Sequence, residues 1–112
     1  MGLGEYVLNE LISKIETVIS HLLQAEYDEY ANAVSDFVNS MIQNFPIIIA
    51  YYYNPQMSEY AEDATYWPGQ LERIVNTINS GDELAVCDVL YNETYPNLLE
   101  LKDILCKKGI SL

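Results

Sequence analysis

Carboxylates that could hold a metal ion are the first candidates for chemistry, because 17 of the 112 residues are Asp or Glu. The di-iron sites of four-helix bundles use a Glu-x-x-His motif on each of two helices. The only histidine is His21, and Val18 stands three residues before it, so this motif is absent. The alternating Asp residues and glycine of a calcium loop are absent as well. The sequence therefore predicts no metal site and no cofactor.

The two cysteines, Cys87 and Cys106, are the candidate nucleophiles. A reactive thiol needs a neighbouring positive charge that lowers its pKa, and only Cys106 has one, in Lys107. On one unbroken helix the two cysteines lie about 28 Å apart, whereas a disulfide needs Cα atoms within about 7 Å. The sequence places no serine or cysteine beside His21. We therefore predict no catalytic residue, a chain that is not an enzyme, and free thiols that suit a reducing cytoplasm.

Asp88 is the acid with the most apolar surroundings, because it is the only polar residue from Leu84 to Tyr91. A helical turn that is apolar on every face is usually buried on every face. A buried carboxylate needs a hydrogen-bond partner or a second protein that closes over it. We expect Asp88 either to be an exposed or hydrogen-bonded residue of an ordinary helix, or to lie in a protein interface.

Tyrosine is the most unusual feature of the composition, with 10 residues. Tyr51, Tyr52 and Tyr53 are consecutive, and successive side chains on a helix point about 100° apart, so they cannot all face one core. A second group, around Tyr66 and Trp67, interleaves aromatic and acidic residues. Exposed tyrosines are enriched at protein interfaces, because the ring is apolar and the hydroxyl is polar. The pattern favours an interface, although rings packed in the core with wet hydroxyls would give the same pattern.

Apolar residues at alternating spacings of three and four predict four amphipathic helices. The first predicted helix covers residues 5–23 and the second covers residues 26–53. The step from Leu22 to Tyr27 rotates the apolar face by about 140°, so the two stripes do not form one seam. We therefore predict a tight turn at residues 24–26, although no glycine or proline marks it.

The third predicted helix has the clearest start, because Asn54 can cap it and Pro55 suits the first helical position. It ends at Gly81, which can adopt the left-handed conformation. Asp82 then caps the fourth helix, which ends at Gly109. The predicted apolar stripe of this fourth helix consists of Leu84, Cys87, Tyr91, Leu98, Leu101 and Leu105.

Three prolines, Pro46, Pro68 and Pro96, fall inside these predicted helices. A proline in a helix interior costs about 3 kcal/mol and kinks or breaks the helix. Each apolar stripe resumes in phase beyond its proline, so we expect kinks or short breaks, with the break at Pro68-Gly69. Four helices with short connections predict an all-α, up-down-up-down four-helix bundle that forms a single domain over residues 1–112.

A short internal similarity raises the hypothesis that the bundle is a duplicated helical hairpin. Residues 33–38 (Ala-Val-Ser-Asp-Phe-Val) resemble residues 85–90 (Ala-Val-Cys-Asp-Val-Leu), at an offset of 52 residues. Each segment lies in the second helix of a predicted hairpin. The match is compatible with a duplicated helical hairpin, and equally with chance similarity between helices of like composition.

The charge of the chain restricts its partners, because the formal net charge is −12. A surface of this sign repels phosphate, so we predict no nucleic-acid partner and no membrane partner. The longest apolar run, residues 47–53, is far shorter than the roughly 20 residues that a membrane-spanning helix needs. The N-terminal residues lack the basic and apolar regions of a signal peptide, so we expect a cytoplasmic protein.

The sequence is compatible with three functions. The first is a non-enzymatic protein-interaction module that associates with itself, as a homodimer, or with another protein. The second is an acidic inhibitor, such as an immunity-like protein or a nucleic-acid mimic, that blocks a basic surface. The third is the binding of a small ligand in the bundle core. The candidate interface residues are Tyr51, Tyr52, Tyr53, Tyr66, Trp67, Val86, Asp88, Val89 and Leu90.

Overall fold

The computed structural model describes residues 3–110, with the side chains of residues 6–110, and it contains four helices and no strand within them. The prediction of an all-α four-helix bundle is confirmed. The segments are α1 (Leu3–Leu23), α2 (Tyr27–Tyr51), a 3-10 helix (Pro55–Thr65), α3 (Tyr66–Asn79), α4 (Glu83–Val89), a π turn (Leu90–Thr94) and α5 (Tyr95–Lys108). The backbone stays right-handed helical from α4 through the π turn into α5, so these three segments form the fourth helix.

The turn between α1 and α2 lies where it was predicted, and an alanine replaces the usual glycine. The backbone N–H of Glu26 donates to the carbonyl of His21 at 2.9 Å, and that of Ala25 donates to Leu22 at 3.0 Å. This is the Schellman pattern that ends many helices. It places Ala25 in the left-handed region, at φ 57°. No residue type marks this turn in the sequence, because Ala25 accepts a conformation that glycine would adopt more easily.

The third predicted helix is wrong in its first half, which is a 3-10 helix rather than an α-helix. Its cap is as predicted, because the Asn54 side chain accepts a hydrogen bond from the backbone N–H of Gln56 at 2.9 Å. Pro68 has no N–H to donate to the carbonyl of Ala64, and its ring crowds that carbonyl in an α-helix. The change of helix type therefore falls just before Pro68, which lies in the first turn of α3.

The fourth helix buries a different face from the predicted one over its N-terminal half. Val86, Val89 and Leu90 are buried, whereas Leu84 is 76% exposed and Tyr91 is 53% exposed. The predicted stripe is therefore wrong at Leu84 and Tyr91. The C-terminal half follows the prediction, with Leu98, Leu101 and Leu105 buried.

The π turn explains this difference. Val86 and Leu105 face one core although 19 residues separate them, whereas five turns of α-helix take about 18 residues. Within the π turn the backbone N–H of Tyr95 donates to the carbonyl of Leu90, five residues earlier, which inserts one extra residue. The insertion rotates the buried face of α4 by about 100° relative to that of α5.

The prolines lie within helical segments, and the predicted break at Pro68-Gly69 is wrong, because α3 runs without interruption through both residues. α2 continues through Pro46 to Tyr51. Pro96 lies at the start of α5, directly after the π turn. Because proline removes a backbone donor, the irregular hydrogen bonding of the π turn falls where a regular α-helix would be weakened anyway.

The two similar segments occupy comparable positions in α2 and in the fourth helix. Val34 and Val86 are buried, whereas Asp36 and Asp88 are exposed. The π turn of the fourth helix has no counterpart in α2, which is α-helical throughout. Regular helical periodicity produces the same alternation of burial, so the duplication stays a hypothesis.

A buried polar pair joins α3 to the π turn. The Gln70 side-chain amide donates to the Thr94 hydroxyl oxygen at 2.8 Å, and both side chains are buried. The Thr94 hydroxyl in turn lies 3.4 Å from the carbonyl oxygen of Val89, to which it donates. Each buried polar group thus has a partner: the Gln70 amide of α3 donates to the Thr94 hydroxyl of the π turn. The hydrogen bond links α3 to the fourth helix at this position.

We expect Thr94→Val to lower the free energy of unfolding by about 1–3 kcal/mol, because it leaves the buried Gln70 amide without its acceptor. Urea unfolding followed by circular dichroism measures the change. The double variant Gln70→Leu/Thr94→Val removes both polar groups and should be more stable than Thr94→Val alone. A double variant that is less stable than Thr94→Val would show that the pair does not act through this hydrogen bond.

Candidate functional site

The structure buries five of the nine candidate interface side chains in the core of the chain itself. These side chains are Tyr51, Trp67, Val86, Val89 and Leu90, each at most 5% exposed. The burial of Val86, Val89 and Leu90 follows from the phase of the fourth helix. A single folded chain therefore does not present them to a partner.

The other four candidates differ in their environment. Tyr53 is 81% exposed. Asp88 is exposed and accepts a hydrogen bond from the Asn92 side chain, which is the first of the two arrangements expected for it, that of an ordinary helix residue. Tyr52 and Tyr66 are half-buried. Of these four, Tyr52 and Tyr66 are brought together, and both contact Trp67.

A hydrogen-bonded aromatic cluster forms where the end of α2, the start of α3 and α5 meet. The indole N–H of Trp67 donates to the Tyr52 hydroxyl at 2.7 Å. The Asn97 side-chain amide donates to the Tyr66 hydroxyl at 2.8 Å. The Tyr66 and Trp67 rings meet edge to face, with centroids 5.2 Å apart. The polar tip of each ring thus has a hydrogen-bond partner, which holds these large rings in fixed positions.

This cluster lines a cavity of about 180 Å³, which we call the aromatic cavity. The residues that line it are Tyr52, Asp63, Tyr66, Trp67, Asn97, Glu100, Leu101 and Ile104. Burial raises the pKa of the Tyr52 hydroxyl, the hydrogen bond from Trp67 opposes this, and the charges of Asp63 and Glu100 raise the pKa further. The cavity therefore combines aromatic walls with negative charge, and none of its lining residues is basic.

A second concave surface lies between the C-terminal end of α1 and the fourth helix. This α1–α5 groove has a volume of about 340 Å³, and its lining residues are Glu16, Ile19, Ser20, Leu23, Gln24, Tyr91 and Tyr95. The Tyr91 and Tyr95 rings stack with centroids 5.6 Å apart and planes 12° apart. Leu23 is 81% exposed. The groove thus offers apolar and aromatic surface with one carboxylate, Glu16, among its lining residues.

Most basic side chains of the surface lie in ion pairs, whereas many acidic side chains do not. Four of the five basic side chains lie in ion pairs: Lys14 with Glu10 and Asp36, Arg73 with Glu93, Lys107 with Asp103, and Lys108 with Glu59. In contrast, exposed acids such as Glu16, Glu29 and Glu72 form no ion pair with any side chain of residues 6–110. Most positive charges of the chain are therefore neutralised by ion pairs within the chain, and the unpaired carboxylates face solvent.

The structure disfavours Cys87 as a nucleophile and gives His21 a carboxylate partner. Burial and the charge of Glu83 raise the pKa of the Cys87 thiol, which favours the unreactive form. Cys106 is exposed, and both cysteines are free. His21 lies 3.2 Å from a carboxylate oxygen of Glu26, its neighbour across the α1–α2 turn. This contact links the two sides of the turn. Among the described residues, no serine or cysteine side chain forms a hydrogen bond with the imidazole.

Comparison with protein-family models, with curated proteins and with solved structures gives no match to this chain. Among the described residues, no group of three or more His, Cys, Asp and Glu side chains could hold a metal ion. None of the helices within residues 3–110 is long and apolar enough to cross a membrane. The aromatic cavity, the α1–α5 groove and the surface charge are the features of this chain that indicate a function.

Sequence reasoning missed the residues that only the tertiary fold brings together. Asp63, Asn97 and Glu100 of the aromatic cavity carry no local signal, because their neighbours lie on other helices. The stacked pair could have been found, since Tyr91 and Tyr95 are four residues apart and such residues are neighbours on a helix.

We expect Tyr52→Phe to lower the free energy of unfolding by about 1–2 kcal/mol, because the buried indole N–H of Trp67 loses its acceptor. Urea unfolding followed by Trp67 fluorescence measures the loss. Tyr53→Phe is the matched control, since the adjacent Tyr53 ring is exposed, and it should stay within about 0.5 kcal/mol of the wild type. Equal effects of the two substitutions would contradict the hydrogen-bonded cluster.

Proposed function

We propose that this chain is a non-enzymatic protein-interaction module that binds a partner with a basic surface. The observation that carries this proposal is the excess of exposed carboxylates that lie in no ion pair, while four of the five basic side chains are already paired within the chain. Unneutralised charge of one sign attracts the opposite sign over roughly 8–10 Å at physiological salt and accelerates association. A basic protein surface is the partner that this charge fits best.

The α1–α5 groove supplies the short-range contacts that charge alone does not give. Long-range attraction sets the rate and orientation of an encounter, whereas well-packed apolar and aromatic anchors supply most of the affinity. Leu23 and Tyr91 are exposed apolar side chains on this groove, and Tyr91 is held against Tyr95. Glu16 lines the same groove, so a partner segment with both apolar and basic residues complements it.

Two considerations make self-association less suitable than binding of a basic partner. Two copies that each carry a formal net charge of −12 repel each other. The apolar residues expected to form a homodimer, including Trp67, Val89 and Leu90, are buried in the core of the single chain. The acidic-inhibitor hypothesis is one version of this proposal, in which the basic surface is a functional site that the acidic chain covers.

The compartment that we propose is a reducing cytoplasm. Cys87 and Cys106 are both free, and neither is paired within the chain. Structural disulfides are rare in a reducing compartment, so free thiols are compatible with it.

Salt dependence tests the proposal. The tagged 112-residue chain is used to capture partners from lysate of its host. Each captured protein is purified and titrated calorimetrically at about 50 and about 500 mM NaCl. We expect a basic partner whose dissociation constant rises at least about tenfold at the higher salt, because salt screens opposite charges. Self-association, measured by sedimentation, would instead strengthen with salt, because salt screens the repulsion between like charges.

Substitutions in the groove test where the partner binds. Leu23→Ala and Tyr91→Ala should each weaken binding about fivefold or more, since hot-spot truncations cost at least about 1 kcal/mol. Ile42→Ala is the matched control, because Ile42 is an exposed apolar residue of α2 outside the groove. A partner whose affinity is independent of salt and equal in all three variants would contradict the proposal, as would recovery of the chain alone.

A further inference from the structure

We propose that the aromatic cavity is a binding site for a small organic cation, such as a methylated or primary ammonium group. This site is separate from the α1–α5 groove, and the inference does not depend on the proposed protein partner. Its chemistry follows from three observations: the aromatic walls, the two carboxylates, and the ammonium group of Lys108, which already binds to Glu59 and Tyr60 of the 3-10 helix.

The walls of the cavity have the composition that attracts a cation without coordinating a metal. The half-buried Tyr52 and Tyr66 line it together with the buried Trp67, and aromatic rings attract ammonium groups through the negative potential over their faces. Two carboxylates, Asp63 and Glu100, add negative charge at the same place. Calcium takes about six to eight oxygen ligands, whereas a bulky ammonium ion needs only charge and apolar surface.

The ammonium group of Lys108 already uses this chemistry at Glu59 and Tyr60, one turn before Asp63 on the 3-10 helix. The Lys108 ammonium lies 5.6 Å from the centre of the Tyr60 ring and forms an ion pair with Glu59. Glu59 and Tyr60 precede Asp63 on the 3-10 helix, and Lys108 follows Glu100 by eight residues, about two turns, on the fourth helix. The aromatic cavity repeats this combination of ring and carboxylate, and no lysine or arginine of the chain lines it.

The size of the cavity limits the ligand. A cavity of about 150 Å³ holds one benzene-sized molecule. The aromatic cavity, at about 180 Å³, accepts a group of similar size, such as tetramethylammonium or the head of a small amine. Larger ligands would have to extend into solvent past Asp63 and Glu100, which are exposed.

Trp67 reports directly on the cavity, because it is the only tryptophan in the chain and lines the site. The 112-residue chain is titrated with tetramethylammonium chloride at constant ionic strength, with sodium chloride as the balancing salt. We expect a saturable change in Trp67 fluorescence and a rise in the melting temperature. Asp63→Asn and Glu100→Gln should each raise the dissociation constant about fivefold, because each removes one nearby negative charge.

Three controls distinguish an organic-cation site from a neutral apolar pocket and from a metal site. Glu62→Gln removes an adjacent acid that does not line the cavity, so its affinity should match that of the wild type. tert-Butanol, a neutral molecule of similar shape, should not saturate the fluorescence change. The proposal is overturned if tert-butanol binds as tightly as tetramethylammonium, if Asp63→Asn and Glu100→Gln bind like Glu62→Gln, or if calcium chloride saturates the site at lower concentrations. Absence of any saturable change would overturn it as well.

Discussion

The fourth helix packs two apolar stretches against one core although they are out of phase for a regular α-helix. The π turn absorbs the one-residue mismatch, and the buried hydrogen bond between Gln70 and Thr94 ties that turn to α3. Because side-chain direction rotates about 100° per residue, this single insertion decides which side chains of α4 are buried. Val86 and Val89 therefore belong to the core, and Leu84 and Tyr91 belong to the surface.

The surface features follow from the same constraint. Tyr91 stacks on Tyr95 beside the end of α1 and lines the α1–α5 groove only because the π turn directs it outward. Asn97, one turn beyond the π turn, is placed where its amide reaches the Tyr66 hydroxyl and lines the aromatic cavity. Two concave surfaces with different chemistry thus lie on the two sides of one irregular helix. The proposed partner and the proposed cation are assigned to separate surfaces.

Much of the fold could be predicted from the sequence, because the apolar periodicity of α1 and α2 and the caps at Asn54 and Asp82 are local signals. The phase of α4 could not be predicted, because a stripe with regular α-helical spacing fits residues 84–105 equally well until tertiary packing selects the π turn. The sequence also does not show which tyrosines and apolar residues are exposed, and five of the nine candidate interface side chains are buried in the core. The aromatic cavity depends on contacts between three helices, which no spacing along the chain encodes.

The most direct test of this account compares two substitutions in α4, Val86→Ala and Leu84→Ala, by urea unfolding of the 112-residue chain. Because Val86 is buried and Leu84 is 76% exposed, we predict that Val86→Ala lowers the free energy of unfolding by about 1–3 kcal/mol and that Leu84→Ala changes it by less than about 0.5 kcal/mol. A larger loss for Leu84→Ala than for Val86→Ala would show that the fourth helix follows the regular stripe, and it would contradict the π turn and the groove that depends on it.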